Sequence, residues 1–299
     1  MITTSKAMKF LLCLQIDPPQ IIKISLEDNR KETLLEITNG IPDGISIDYQ
    51  TQKIFWIVMG RLTDLPEGFS AKDGSVESCN FDGTGHTVLL GNGLITTPKQ
   101  LIYHHETDRL YWCDREGMAV MTAEKDGSNL KVLVQHHNDG LADIEKQCVG
   151  IAIDPKNESL YWTQKGPSKG GKGRIFRIPL PQGDSADLSR IACIAENLPE
   201  PIDLEFGAKT GLLYWTDRGA APEGNSLNSA IIAVDGKLSN HRIIARGLKE
   251  AIGLAVDEDE NVVYTSDLGG YIRKINLTDG SENIILQLGP TTGIALLKD

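Results

Sequence analysis

Five aromatic landmarks recur at nearly even intervals along the chain: Ile54-Phe55-Trp56, Leu110-Tyr111-Trp112, Leu160-Tyr161-Trp162, Leu213-Tyr214-Trp215 and Val263-Tyr264-Thr265. Their third residues lie 56, 50, 53 and 50 positions apart, a period that belongs to repeat architectures and has to be read before any local feature. A second series shortly precedes each landmark: Asp43–Asp48, Lys99–His104, Val149–Asp154, Ile202–Phe206, Ile252–Asp257 and Thr292–Leu296. This series has one member more than the first. The N-terminal run Phe10-Leu11-Leu12-Cys13-Leu14 stands where the missing landmark is due, so the strand Gly293 to Leu297 is expected to pair with the strand Lys9 to Leu14.

A third, alternating segment follows each landmark, as in Ile21–Ile24, Arg174–Ile178 and Tyr271–Ile275. Then come Asp-Gly turns (Asp82-Gly83, Asp126-Gly127, Asp235-Gly236, Asp279-Gly280) and a fourth apolar run, such as Val132–Val134 or Ile284–Leu286. Short period-two runs split by Asp-Gly are hairpin signals. The spacing therefore predicts an all-β chain, one domain over 1–299. It is a six-bladed β-propeller with four antiparallel strands per blade, its ring closed by pairing of the N-terminal and C-terminal strands. Closure removes the open blade edges that would otherwise invite aggregation.

Leu213-Tyr214-Trp215-Thr216-Asp217 carries a complete YWTD signature, and Tyr111-Trp112-Cys113-Asp114, Tyr161-Trp162-Thr163-Gln164 and Tyr264-Thr265-Ser266-Asp267 are one or two substitutions away. The chain resembles the YWTD propeller family, known from the class B repeats of the low-density lipoprotein receptor. The resemblance covers nearly the whole chain and departs where Val58 and Leu14 replace the Asp. The motif implies structure: the aromatic pair packs between blades and the Asp hydrogen-bonds backbone within the blade. Receptor members bind proteins. The chain looks more like the stand-alone members of microbial and fungal type, some of which are associated with secondary metabolism, and a few propellers of that kind catalyse cyclisations, including hetero-Diels–Alder reactions, without a cofactor.

The net charge of −11 argues against a nucleic-acid partner, since neutralising phosphates needs a basic face. No apolar run approaches the roughly 20 residues that span a bilayer. The short apolar stretch Met8–Leu14 is followed by Gln15 and Asp17 rather than a cleavage site, and is read as mature protein. Cys13, Cys79, Cys113, Cys148 and Cys193 form no C-x-x-C pair, which points to reduced thiols in a cytoplasmic protein. No cysteine stands in a recognisable Cys-His setting. The Gly-rich 166–173 segment precedes a strand rather than a helix and is not a P-loop, and a nucleophile elbow is absent. With only Asp43 and Asp203 as obvious channel carboxylates, neither a metal nor any other cofactor is expected.

The second series is expected to line the central channel. Long connectors (60–74, 136–147, 165–173 and 218–229) fall on the face where these inner strands begin, and long loops on a rigid scaffold carry binding groups. The candidate catalytic residues there are Arg61, Gln100, Lys165 and Arg218, as hydrogen-bond donors to a reacting carbonyl. The candidate ligand-binding residues are Asp43, Lys99, Arg115, His137, Gln147, Asp203 and Asp267, with His136 beside them. Structural roles compete with this reading. Arg115, Lys165 and Arg218 all directly follow the motif and can simply pair with a neighbouring acid, channel carboxylates can hold water, and His136-His137 can be a solvated loop pair. The expected function is a cofactor-independent enzyme binding a small organic substrate in the central pocket. The alternative is a non-catalytic propeller that presents its rim to a protein.

Overall fold

The computed structural model describes residues 8–62, 68–69, 71–136, 143–181 and 185–298. Six four-stranded antiparallel sheets are arranged as blades. Blade 1 contains β1 (Lys9–Ile16), β2 (Pro19–Ser25) and β3 (Lys31–Glu36), and blade 2 contains β4 (Pro42–Asp48), β5 (Lys53–Val58), β6 (Ser75–Asn80) and β7 (Thr87–Leu90). Blade 3 is β8 (Pro98–His104), β9 (Arg109–Asp114), β10 (Ala119–Glu124) and β11 (Lys131–Gln135). Blade 4 is β12 (Cys148–Asp154), β13 (Ser159–Gln164), β14 (Gly173–Pro179) and β15 (Ala192–Leu198). Blade 5 is β16 (Pro201–Gly207), β17 (Leu212–Asp217), β18 (Ser226–Ile232) and β19 (Leu238–Arg246). Blade 6 is β20 (Ala251–Asp257), β21 (Val262–Asp267), β22 (Tyr271–Asn276) and β23 (Glu282–Gln287).

The last strand, β24 (Thr291–Lys298), becomes the inner strand of blade 1 and pairs antiparallel with β1, placing Phe10 opposite Leu297 and Cys13 opposite Ile294. The ring closes as the repeat count requires. Both strands run about two residues beyond the expected Lys9–Leu14 and Gly293–Leu297. Among the described residues no helix is long and apolar enough to cross a membrane.

Each position of the repeated motif has one physical job. The aromatic pair faces two ways: Trp112 packs with Phe55 and Ile57 of blade 2, while its neighbour Tyr111 packs with Ile151 and Leu160 of blade 4. Consecutive strand residues point to opposite sheet faces, so one dipeptide fills two inter-blade cores. The Thr position is a strut between blades. Thr216 accepts from Asp203 N at 3.2 Å and donates to Ile252 O of the next blade at 2.5 Å, and Thr163 does the same between Gly150 N and Ile202 O, at 2.7 and 2.9 Å.

The Asp fastens the connector ahead of its own inner strand. Asp114 accepts from Thr96 N, Thr97 N and Gly117 N at 2.7, 2.8 and 3.0 Å, and Asp217 accepts from Glu200 N and Gly219 N at 3.0 and 2.8 Å. Where Gln164 replaces it, the amide donates to Lys146 O at 3.4 Å and keeps the tie. The Asp-Gly hairpins use the same economy. Asp126 accepts from Ser128 N at 2.8 Å while Gly127, at φ 87°, takes the left-handed position that a side chain disfavours.

Candidate functional site

Aligning the six inner strands by register sorts the channel into tiers. The near face is the one on which these strands begin, and the far face the one on which they end. The first tier is Asp43, Lys99, Val149, Ile202, Ile252 and Thr292, all of them buried. Val149, Ile202 and Ile252 pack together from three consecutive blades with Leu268 against them. Asp43 and Lys99 form an ion pair, and Thr292 donates to Pro42 O at 2.9 Å. These side chains close the channel near its beginning.

The second tier is Gly44, Gln100, Gly150, Asp203, Gly253 and Gly293. A Cβ on the four glycines would meet Lys99 O at 2.5 Å, Ile202 O at 2.1 Å, Thr292 O at 2.6 Å and Asp43 O at 2.1 Å. Adjacent inner strands approach so closely at this waist that only glycine fits. The two remaining steps admit a side chain, and there Gln100 and Asp203 reach into the channel.

Beyond the waist the channel widens, because the fourth position of the aligned series is small in four blades: Ser46, Ala152, Ala255 and Ala295, against Ile102 and Glu205. A cavity of about 550 Å³ results. Gln100 and Asp203 lie at its inner end, Ile45, Leu101, Ile151, Leu204, Leu254 and Ile294 on its walls, and Tyr49 and Lys298 at its mouth on the far face. Tyr49 donates to Leu296 O at 2.5 Å, and Lys298 sits 3.2 Å from Asp257 and 3.1 Å from Asp259.

Two acids from β16 define its polar side. Asp203 accepts from Leu204 N at 2.9 Å and Leu254 N at 3.2 Å, and Glu205 accepts through Oε2 from Val256 N at 3.0 Å. The carboxyls thus satisfy the otherwise open N–H edge of β20. Burial pushes Asp203 up to about 8 against the pull of those amides, with the negative charge of Asp43 adding. Burial likewise pushes Glu205 up to about 8; Asp203 and Glu258 add to the rise, and the Val256 amide and Lys298 oppose it. At neutral pH both are predominantly carboxylic acids, able to donate a hydrogen bond. Oε1 of Glu205 has no hydrogen-bond partner among the described residues.

The expected residues divide between the two ends of the channel. Gln100 and Asp203 line the cavity. Gln100 also donates to Asp43 at 3.3 Å, so Asp43 and Lys99 stand directly behind the cavity floor. Burial draws Lys99 below its ordinary range against the pull of Asp43, and Arg115 and Arg218 add to the fall.

Arg115, Lys165 and Arg218 do converge on the near face, where each faces an acid. Arg115 pairs with Glu116 at 2.7 Å and lies over the Phe69 ring. Lys165 and Arg218 share the fully buried Glu200 at 3.6 and 2.6 Å. Burial lowers Lys165 despite Glu200, with Arg218 and Arg115 contributing. Arg61 is exposed, its amide bonded to Asp73 at 3.1 Å. Gln147 ends a single 3₁₀ turn, Ile144–Lys146. Asp267 is engaged by Lys249 N and Tyr271 N, each at 2.9 Å, and by Arg273, which is the structural role of the motif acid. His137 lies outside the described residues, as do 63–67, 70 and 138–142 of the long connectors.

Parts of two of the long connectors lie outside the described residues, and the cavity opens not on the near face, where a site was expected, but on the far face. The first tier fills the near end of the channel, and the small fourth-tier side chains leave the other end open. Glu205, Ser46, Tyr49 and Lys298 were not singled out from the sequence. The aligned inner strands carried a signal for one of them, since Glu205 is the sole acid in a column of small or apolar residues.

No protein-family model matches the sequence. The chain is 40% identical over 291 residues to the Low-density lipoprotein receptor-related protein 1 of Pyricularia oryzae, covering 93% of this chain and 92% of that one. It is 37% identical over 295 residues to the 3-hydroxyacyl-CoA dehydrogenase-like protein LAM1 of Cochliobolus heterostrophus, covering 93% of this chain but spanning only 60% of that protein. A crystal structure of a nidogen/laminin complex contains a similar fold, with a TM-score of 0.74 at 18% identity over 96% of this chain and 98% of that one. With its six closed blades and repeated YWTD motif, the chain belongs to the family of the fungal low-density lipoprotein receptor-related propeller proteins.

Proposed function

We propose that this protein binds a neutral, carbonyl-bearing organic molecule in the far-face cavity and accelerates its cyclisation, of hetero-Diels–Alder type, without a cofactor. The observation that carries the reading is Glu205, a half-buried carboxylic acid with one oxygen held by Val256 N and the other without a partner among the described residues, in the lining of an apolar-walled cavity. The cavity volume falls within the range of small-molecule sites. It is concave, with apolar walls beside a polar side formed by Asp203 and Glu205, and among the described residues Tyr49 is the one aromatic in its lining.

In a hetero-Diels–Alder reaction a conjugated C=C–C=O unit and an alkene close a six-membered ring by forming one C–C and one C–O bond. No proton or electron is gained or lost, so no redox cofactor is called for. Negative charge grows on the carbonyl oxygen in the transition state, and a hydrogen bond from neutral Glu205 strengthens as it does. The rigid walls hold the diene and alkene in a reactive conformer. Gln100 and Asp203 orient the carbonyl from the cavity floor.

The test is a panel of conjugated enones bearing a tethered alkene, followed by chiral chromatography. The expected result is cyclisation above the buffer rate with one enantiomer in excess, and a loss of roughly tenfold or more in rate for Glu205→Gln, the scale of a lost general-acid contact. Racemic product at the buffer rate throughout the panel, with no ligand-induced thermal shift, overturns the reading.

A further inference from the structure

Scattered along the sequence, the cysteines show no pairing, yet the fold brings two of them together. Cys113 occupies the Thr position of its motif, so its sulfur points at the next blade and lies 3.3 Å from Gly150 O. Cys148 opens β12 in that next blade, its sulfur 3.5 Å from Lys146 O. Both are fully buried in the core shared by blades 3 and 4, where the two thiols are neighbours.

His136 approaches Cys148 from the connector that links the same two blades. Its ring is held 5.8 Å from Trp162 and 5.9 Å from Phe176, and its buried Nε2 has no conventional hydrogen-bond partner among the described residues. The result is a dithiol with an imidazole beside one sulfur. Cys13 and Cys79 are buried in other clusters, and Cys193 is half-buried on the outer strand of blade 4.

We infer that Cys113 and Cys148 form a redox site that a peroxide oxidises to a disulfide bolting blade 3 to blade 4. Cys148 is the attacking sulfur. Burial raises its thiol, but the hydrogen bond from Cys113 and the neighbouring His136 outweigh that and leave it below its ordinary range. Cys113 is held well above its ordinary range by burial and by its bond to Cys148, and so keeps its proton. The Cys148 thiolate attacks one peroxide oxygen, the O–O bond breaks, and a sulfenic acid and hydroxide form. Cys113 sulfur then attacks the sulfenic sulfur. The S–S bond forms, the S–O bond breaks, and the Cys113 proton leaves with the departing hydroxyl as water. Two electrons pass from the two sulfurs to the peroxide.

The full chain is treated with hydrogen peroxide, alkylated in denaturant and mapped by mass spectrometry without reduction. The expected result is a linked Cys113–Cys148 peptide, a loss of two hydrogens from the intact mass, and three alkylated thiols in place of five. Cys113→Ser, checked for folding by its thermal melt, is expected to stop at a Cys148 sulfenic acid that dimedone traps, and His136→Ala to oxidise several-fold more slowly. Oxidation at Cys193 with Cys113 and Cys148 still alkylated, or five free thiols after treatment, overturns the inference. The wild-type map decides the matter even where a variant fails to fold.

Discussion

Replacing Glu205 by Gln isolates the electrostatic cost of placing an acid inside the channel. Gln keeps an oxygen to accept from Val256 N and cannot ionise. Glu205 is raised from an ordinary value of 4.5 to about 8 in the folded protein, so the folded state holds its proton more tightly than the unfolded chain. Below pH 4.5 the group is neutral in both states and costs nothing electrostatically. As pH rises from 4.5 toward 8 the unfolded chain ionises while the folded one resists, and stability is lost at up to about 1.4 kcal/mol per pH unit. At pH 7 the accumulated penalty reaches roughly 3 kcal/mol, or about 6 °C in melting temperature for a chain of this size. The Gln variant should therefore melt close to wild type near pH 4.5 and progressively above it by pH 7, the gap levelling off beyond pH 8. The assay is thermal unfolding by circular dichroism in matched buffers from pH 4.5 to 8.5. Parallel pH profiles for the two proteins would refute a proton-retaining Glu205 and remove the hydrogen-bond donor from the proposed reaction.

Gly150→Ala places a Cβ 2.1 Å from Ile202 O, a backbone atom that can move only by prising two blades apart. Calorimetry should show a loss of several kcal/mol, on the order of 3 or more, of the kind expected for overpacking. Thr216→Val preserves shape but strips the strut from Asp203 N and Ile252 O, two buried groups. It should cost roughly 2 kcal/mol in urea unfolding, and a neutral result would show that the motif hydroxyl does not couple blades 5 and 6.

The architecture was legible because its signals are local and repeat. An aromatic pair that fills two adjacent cores has to recur once per blade, and Asp126-Gly127 makes its turn with atoms two residues apart. The surplus inner strand implied the closure between β24 and β1, since an unpaired count leaves an edge that only the other terminus can cover. The motif Asp was likewise readable as structural, and Asp114 and Asp217 behave so.

The candidate site was only half legible. Gln100 and Asp203 could be placed in the channel from register alone, whereas the partners of Lys165 and Arg218 could not, because Glu200 precedes the next inner strand and becomes theirs only when the blades stack. Which end of the channel stays open depends on side chains from six strands separated by whole blades: Val149, Ile202 and Ile252 meet and fill one end, while Ser46, Ala152, Ala255 and Ala295 recede at the other. Sequence by itself determined the number of blades, the closure and the work of each motif position, since these follow from periodicity and short-range hydrogen bonding. Tertiary structure alone decided where the cavity opens, that Glu205 faces it as a neutral acid, and that Cys113 meets Cys148. Those properties arise from burial and from contacts between blades, and no stretch of chain within one blade contains them.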